Sequence, residues 1–137
     1  FLLLNIFFRD DIFLEVLLDQ KRANECETLI QKLNNGSLTA YISSFTIHSV
    51  EVILEKNNKI NILGHFLRDL LNSRGLKRFD TTTSDEIKAL EISQKLKLDF
   101  DDTLNYYICK SLDLQIISFD KHFDKTEIKR IEPKDII

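Results

Sequence analysis

The chain has 137 residues, 43% of them hydrophobic and 30% charged, enough for one domain, 1–137, with a real core, and a second domain is not expected. A net charge of −3 and an isoelectric point near 5.6 exclude a protein whose overall field attracts nucleic acid, so any such ligand must be held by local patches. Cys26 and Cys109 stand far apart without metal-ligand spacing, which marks them as reduced, core-packed thiols of a cytoplasmic protein.

The opening Phe1-Leu2-Leu3-Leu4-Asn5-Ile6-Phe7-Phe8 is too short to span a bilayer. It lacks a basic leader and a small-residue cleavage site, so it reads as a buried first strand, Leu3 to Arg9, and no membrane association is expected. A helical run follows from Ile12 to Leu18. Another spans Arg22 to Asn34, with Cys26, Leu29, Ile30 and Leu33 on one face and Asn35-Gly36 as its stop. Thr39 to Ser43 reads as the second strand, and Ser44 as the cap of a helix from Phe45 to Glu55. Ile60 to Leu71 carries a broad apolar stripe and ends near Ser73-Arg74-Gly75. Leu76 to Phe79 is a third strand. Ser84 is placed as the cap of a helix running to Lys95, with Asp85 and Glu86 suited to the positive end of its dipole. A helix from Asp102 to Leu112, a strand from Leu114 to Ser118 and a weak strand from Glu127 to Ile131 complete the series. The alternation of the two periods predicts an α/β fold with a largely parallel sheet.

Two acidic clusters bracket the last helix–strand unit: Asp99-Phe100-Asp101-Asp102, and Ser118-Phe119-Asp120-Lys121-His122-Phe123-Asp124. Carboxylates gathered in this way repel one another unless a hard cation binds among them; solvated surface is the competing reading. Ligands of open parallel sheets bind outside the carboxyl ends of strands, near the point where strand order reverses. Asp10-Asp11 and Asp120 fall at that edge. Asp102 reaches it if the chain crosses over the top of the sheet before the helix that Asp102 begins.

Four segments together resemble the PIN domain, the nuclease fold of VapC-type toxins, in an archaeal-looking variety. They are Ile12-Phe13-Leu14-Glu15-Val16-Leu17-Leu18, Ser43-Ser44-Phe45-Thr46-Ile47-His48, Asp101-Asp102-Thr103-Leu104, and Ile117-Ser118-Phe119-Asp120-Lys121-His122-Phe123-Asp124. The resemblance implies a three-layer sandwich, a mostly parallel sheet of four to five strands flanked by helices. It also implies three or four acids holding Mg²⁺ or Mn²⁺ for RNA hydrolysis, an antitoxin partner and a homodimer. Asp102 matches the family's third acid and Asp120 its fourth, with Asp124 as an assisting neighbour.

The chain departs from the family at two places. Arg9 stands where the first acid belongs. Side chains two apart on a strand share a face, so Arg9 and Asp11 are expected to point to the site while Asp10 turns away, making Asp11 the substitute ligand. Ser49 stands where many members carry Glu. Glu51 lies roughly 200° further around the helix and is a weaker substitute. A guanidinium among the acids can itself act as the neutralising charge, so a degenerate PIN domain that binds RNA or a protein without cutting is the second reading. A phosphate-handling domain with a nucleophilic aspartate ranks third, because Lys121 follows Asp120 too closely to serve it.

The remaining polar residues have plainer expectations. His48 and His122 are read as polar surface, His65 as structural, and Tyr106 and Tyr107 as core packing. Lys56, Lys59, Arg68, Arg74, Lys77 and Arg78 form the most basic stretch, a solvated face by default and otherwise a guide for RNA phosphates.

Overall fold

Alternation along three short strands builds both faces of the sheet. Ile6 and Phe8 of the first strand, Ala40 and Ile42 of the second and Ile117 of the fourth enter one buried cluster, while Phe7, Tyr41 and Ile116 face the other, as the two-residue period of a strand requires. The computed structural model describes residues 5–137, and the start of the expected first strand at Leu3 and Leu4 lies outside them. In chain order the elements are β1 Ile6–Phe8, α1 Asp10–Leu17, α2 Ala23–Asn35, β2 Ala40–Ser43, α3 Ser44–Lys56, α4 Ile60–Asn72, β3 Leu76–Phe79, α5 Thr83–Leu96, α6 Phe100–Leu112, β4 Gln115–Ile117 and β5 Arg130–Ile131. Short 3₁₀ turns occupy Lys121–Lys125 and Pro133–Asp135.

Among the described residues all pairings are parallel, and the strand order is β3-β2-β1-β4-β5. Phe7 lies opposite Tyr41 on one side and Ile116 on the other. Helices α1 to α4 cover one face around Ile12, Phe13, Leu29, Leu33, Val50, Leu54 and Phe66; α6 lines the other with Tyr106, Ile108 and Cys109, and Ile92 and Leu96 of α5 pack against that cluster. This is the expected α/β architecture with a parallel sheet between helical layers. Cys26 and Cys109 belong to the two different clusters and are free. Burial, followed by the Glu15 and Asp11 carboxylates, pushes the Cys26 thiol up to about 12, which leaves it inert.

Among the helix starts that differ from the sequence expectation, three are set by their capping residues. Ser43, not Ser44, caps α3, its hydroxyl accepting from the Thr46 amide. Thr82, not Ser84, caps α5 in a reciprocal capping box with Asp85. Asp99 caps α6 by accepting from the Asp102 amide, so that helix begins at Phe100. Two glycines are required by geometry. Gly36 ends α2 at φ 85°, and a Cβ on Gly75 would lie 1.9 Å from the Leu38 carbonyl oxygen where β3 begins. No helix among the described residues is long and apolar enough to cross a membrane.

Candidate active site

Strand order reverses between β1 and β4, and the crevice beyond their carboxyl ends gathers the charged groups. Phe8 ends β1, Arg9 adopts an extended backbone as the N-cap of α1, and Asp10 and Asp11 fill that helix's first turn. The first strand is therefore shorter than expected, and strand alternation does not govern residues 9–11. Asp10 faces the site: Arg9 Nη1 lies 3.5 Å from Asp10 Oδ1 and 3.8 Å from Asp11 Oδ2. The other end of the guanidinium, Nη2, donates to Asp102 Oδ1 at 2.9 Å and lies 3.4 Å from Asp120 Oδ2.

Arg9 is thus ringed by four carboxylates, with its side chain 14% exposed. Burial alone would lower its pKa, but Asp10, Asp11 and Asp102 together raise it. Asp102 is 2% exposed and sits in the first turn of α6, which reaches this edge as the crossover expectation required. Its second oxygen, Oδ2, faces His122 Nδ1 at 3.3 Å. Asp120 follows β4 and caps the 3₁₀ turn; its Oδ1 accepts from the His122 amide at 2.9 Å and lies 3.1 Å from His122 Nδ1. Each of these two carboxylates turns one oxygen to Arg9 and the other to His122.

His122 is the residue that sequence reasoning set aside as surface. It is solvent-exposed, yet the turn capped by Asp120 and anchored by buried Phe123 delivers its ring to both acids. One donor atom each from Asp102, Asp120 and His122 fall within 4.8 Å of one another. The imidazole-to-carboxylate separations of 3.1 and 3.3 Å approach the edge of about 3.0 Å of an octahedron with bonds near 2.1 Å. Four carboxylates around one guanidinium also leave the crevice net negative. The residues present therefore fit a divalent cation on the His122 side of Arg9.

Asp11 is not part of that convergent set. Its Oδ2 accepts from the Ser118 hydroxyl and the Phe119 amide, both at 2.8 Å, tying α1 to the end of β4. Its Oδ1 is buried without a partner, and burial raises its pKa against the pull of Arg9 and of those hydrogen bonds. Asp124 is also drawn elsewhere, pairing with Arg130 at 2.8 Å. Ser49, in the place of the family glutamate, donates to Asp10 Oδ2 at 2.7 Å. Glu51 pairs with His48 at 3.5 Å and does not join the cluster.

The Asp101 carboxyl is pushed up to about 6, first by burial and then by Asp10, with Arg9 opposing. A carboxyl whose folded pKa exceeds its ordinary 3.8 binds protons more tightly when folded, so its penalty is present at pH 7 and relieved as pH falls from about 6 toward 4. Metal-free protein with Asp101→Asn is expected to gain about 1–2 kcal/mol at pH 7, discounted for partial exposure, and nothing at pH 4. Thermal melts at the two pH values in EDTA check this; an equal gain at both contradicts it.

The PIN domain family's sequence profile matches residues 11–129. No curated protein sequence matches the chain. Among solved structures, the chain is similar to Mycobacterium tuberculosis VapC20, a Sarcin-Ricin loop cleaving toxin, at TM-score 0.76 and 14% identity, covering 90% of this chain and 96% of that one. It is similar to Rickettsia felis VapBC2, bound to a DNA fragment from its promoter, at TM-score 0.69 and 12% identity, covering 94% and 98%. A toxin-antitoxin complex from Klebsiella pneumoniae matches at TM-score 0.67 and 15% identity, covering 94% and 98%.

Proposed function

The chain belongs to the PIN domain family, and from that membership we propose that it is a toxin-type endoribonuclease, hydrolysing RNA phosphodiester bonds with a divalent cation held by Asp102 and Asp120. The observation that carries this reading is the convergence of Asp102, Asp120 and His122 at the switch point of the sheet. Two carboxylate oxygens with an imidazole nitrogen suit Mn²⁺ better than Mg²⁺, which prefers oxygen ligands alone. When bound, the cation lowers the pKa of water and offsets charge growing on the phosphate. Arg9 orients both acids by holding Asp102 Oδ1 and Asp120 Oδ2, which presents the opposite oxygens on the His122 side. Asp11 supports the site from behind, fixing the turn that carries Asp120.

The similar toxins, one cleaving the Sarcin-Ricin loop and others held in toxin–antitoxin assemblies, support an RNA substrate and an antitoxin partner. Self-pairing is part of the same reading, since α4 leaves Ile60, Leu67 and Leu71 exposed. A specific observation favours the second reading: the Arg9–Asp102 contact at 2.9 Å supplies a cation within the protein, as a PIN domain that binds RNA without cutting it would need. A fluorogenic single-stranded RNA separates the two. The nuclease reading predicts cleavage that requires Mn²⁺, stops with EDTA and returns with excess Mn²⁺. RNA binding with no cleavage under any divalent ion establishes the second reading instead.

A further inference from the structure

We propose that Arg130 is a positioning residue of the site, a clasp that holds both ends of the loop carrying Asp120 and His122; the inference rests on the cation-binding reading above. Arg130 lies on β5, outside the acidic crevice and outside the segment that resembles the family. Its Nη1 donates to the Ser118 carbonyl at 2.9 Å, where the loop leaves β4. Its Nε donates to Asp124 Oδ1 at 2.8 Å, and Nη2 lies 3.3 Å from Asp124 Oδ2, a fork–fork pair at the far end of the same loop. Glu132 Oε2 accepts from Nη1 at 2.8 Å and fixes the guanidinium from behind, and the Arg130 side chain is only 11% exposed.

The two anchored positions enclose the residues that matter. Ser118 donates its hydroxyl to Asp11 and accepts from the Asp120 amide at 3.0 Å, so fixing its carbonyl also fixes the start of the Asp120 turn. Asp124 closes the 3₁₀ turn that carries His122. A planar fork spans both ends at once; a lysine ammonium, a single point of charge, does not. This explains why Asp124, an acid expected beside the metal, points away from it. Asp124 serves the site through Arg130.

Outer hydrogen bonds that orient ligands change metal affinity by about 10–100-fold when removed. Arg130→Gln and Asp124→Asn are therefore expected to weaken Mn²⁺ binding, read by titration calorimetry, by about tenfold or more. Arg130→Lys, which keeps the charge, is not expected to rescue it. Asp124 is exposed, so its variant folds even where Arg130→Gln does not. In metal-free protein, hydrogen exchange at the Asp120 and His122 amides is expected to rise in Asp124→Asn, with the Ile116 amide of β4 unchanged. Unaltered exchange in a folded Asp124→Asn variant overturns the clasp, and full rescue by lysine overturns the geometric role in favour of a charge effect. If wild-type protein takes up no Mn²⁺ while the variant's loop exchange still rises, the clasp stands and the cation-binding reading falls.

Discussion

Arg9→Ala is expected to melt about 10 °C below wild type in EDTA, with millimolar Mn²⁺ returning a large part of the loss. Four carboxylates, those of Asp10, Asp11, Asp102 and Asp120, lie within 3.8 Å of the guanidinium. Taking away one partner of a buried charge pair costs roughly 3–5 kcal/mol, because the remaining charges lose their compensation. Each close pair of carboxylates then repels by about 4 kcal/mol at a surface-like dielectric. A cation that binds only the folded state offsets this by about 2.7 kcal/mol at a hundred times its dissociation constant. Wild-type protein, already holding Arg9 there, responds less to Mn²⁺. The check is a pair of calorimetric melts, with EDTA and with Mn²⁺. A wild-type melting temperature for Arg9→Ala in EDTA contradicts the role assigned to the guanidinium. Arg9→Asp sharpens the same comparison, since unchanged Mn²⁺ binding and RNA cleavage would place Arg9 outside the working site.

The second large effect is on chemistry. Asp102→Asn and Asp120→Asn are each expected to lower Mn²⁺-dependent RNA cleavage by about 10³-fold, in keeping with several kcal/mol of charge stabilisation that a cation held by these acids would supply. Asparagine keeps the shape and one oxygen acceptor but loses the negative charge. At Asp102 it can still accept from Arg9 Nη2, where the carboxylate does so at 2.9 Å, so the fold is retained and the loss falls on the ion. Single-turnover rates with saturating Mn²⁺ check the expectation. Cleavage unchanged in both variants would move the chemistry away from these acids.

The sheet and its flanking helices were legible because alternation in the strands and apolar stripes in the helices are local signals. Every expected strand is present at its place, though β1, β2, β4 and β5 are shorter than expected within the described residues. The candidate site was legible in part for the same reason. Asp102 and Asp120 sit at a helix start and a strand end, both of which sequence patterns mark. The orientation of residues 9–11 was not legible, because the strand stops at Phe8 and Arg9 becomes a helix cap. Asp10, expected to turn away, consequently faces Arg9 and is held by Ser49 across a separation of 39 residues.

The approach of His122 to Asp102 and Asp120 was not legible, because it depends on a 3₁₀ turn. The signal was available in Asp120 as a cap, with buried Phe123 as an apolar anchor of the turn between them. The α6 start carried a comparable signal, an aspartate three residues before Asp102. Asp124 shows the opposite limit. Its proximity in sequence to Asp120 says nothing about Arg130, whose reach to Asp124 is set by the pairing of β4 with β5.

Anomalous diffraction from a crystal soaked in Mn²⁺ would decide whether the tethered guanidinium shares its crevice with a cation. One manganese peak is expected among Asp102 Oδ2, Asp120 Oδ1 and His122 Nδ1, with Arg9 still bound to the opposite oxygens of both acids. An empty crevice at saturating Mn²⁺, with Arg9 unmoved, would contradict it.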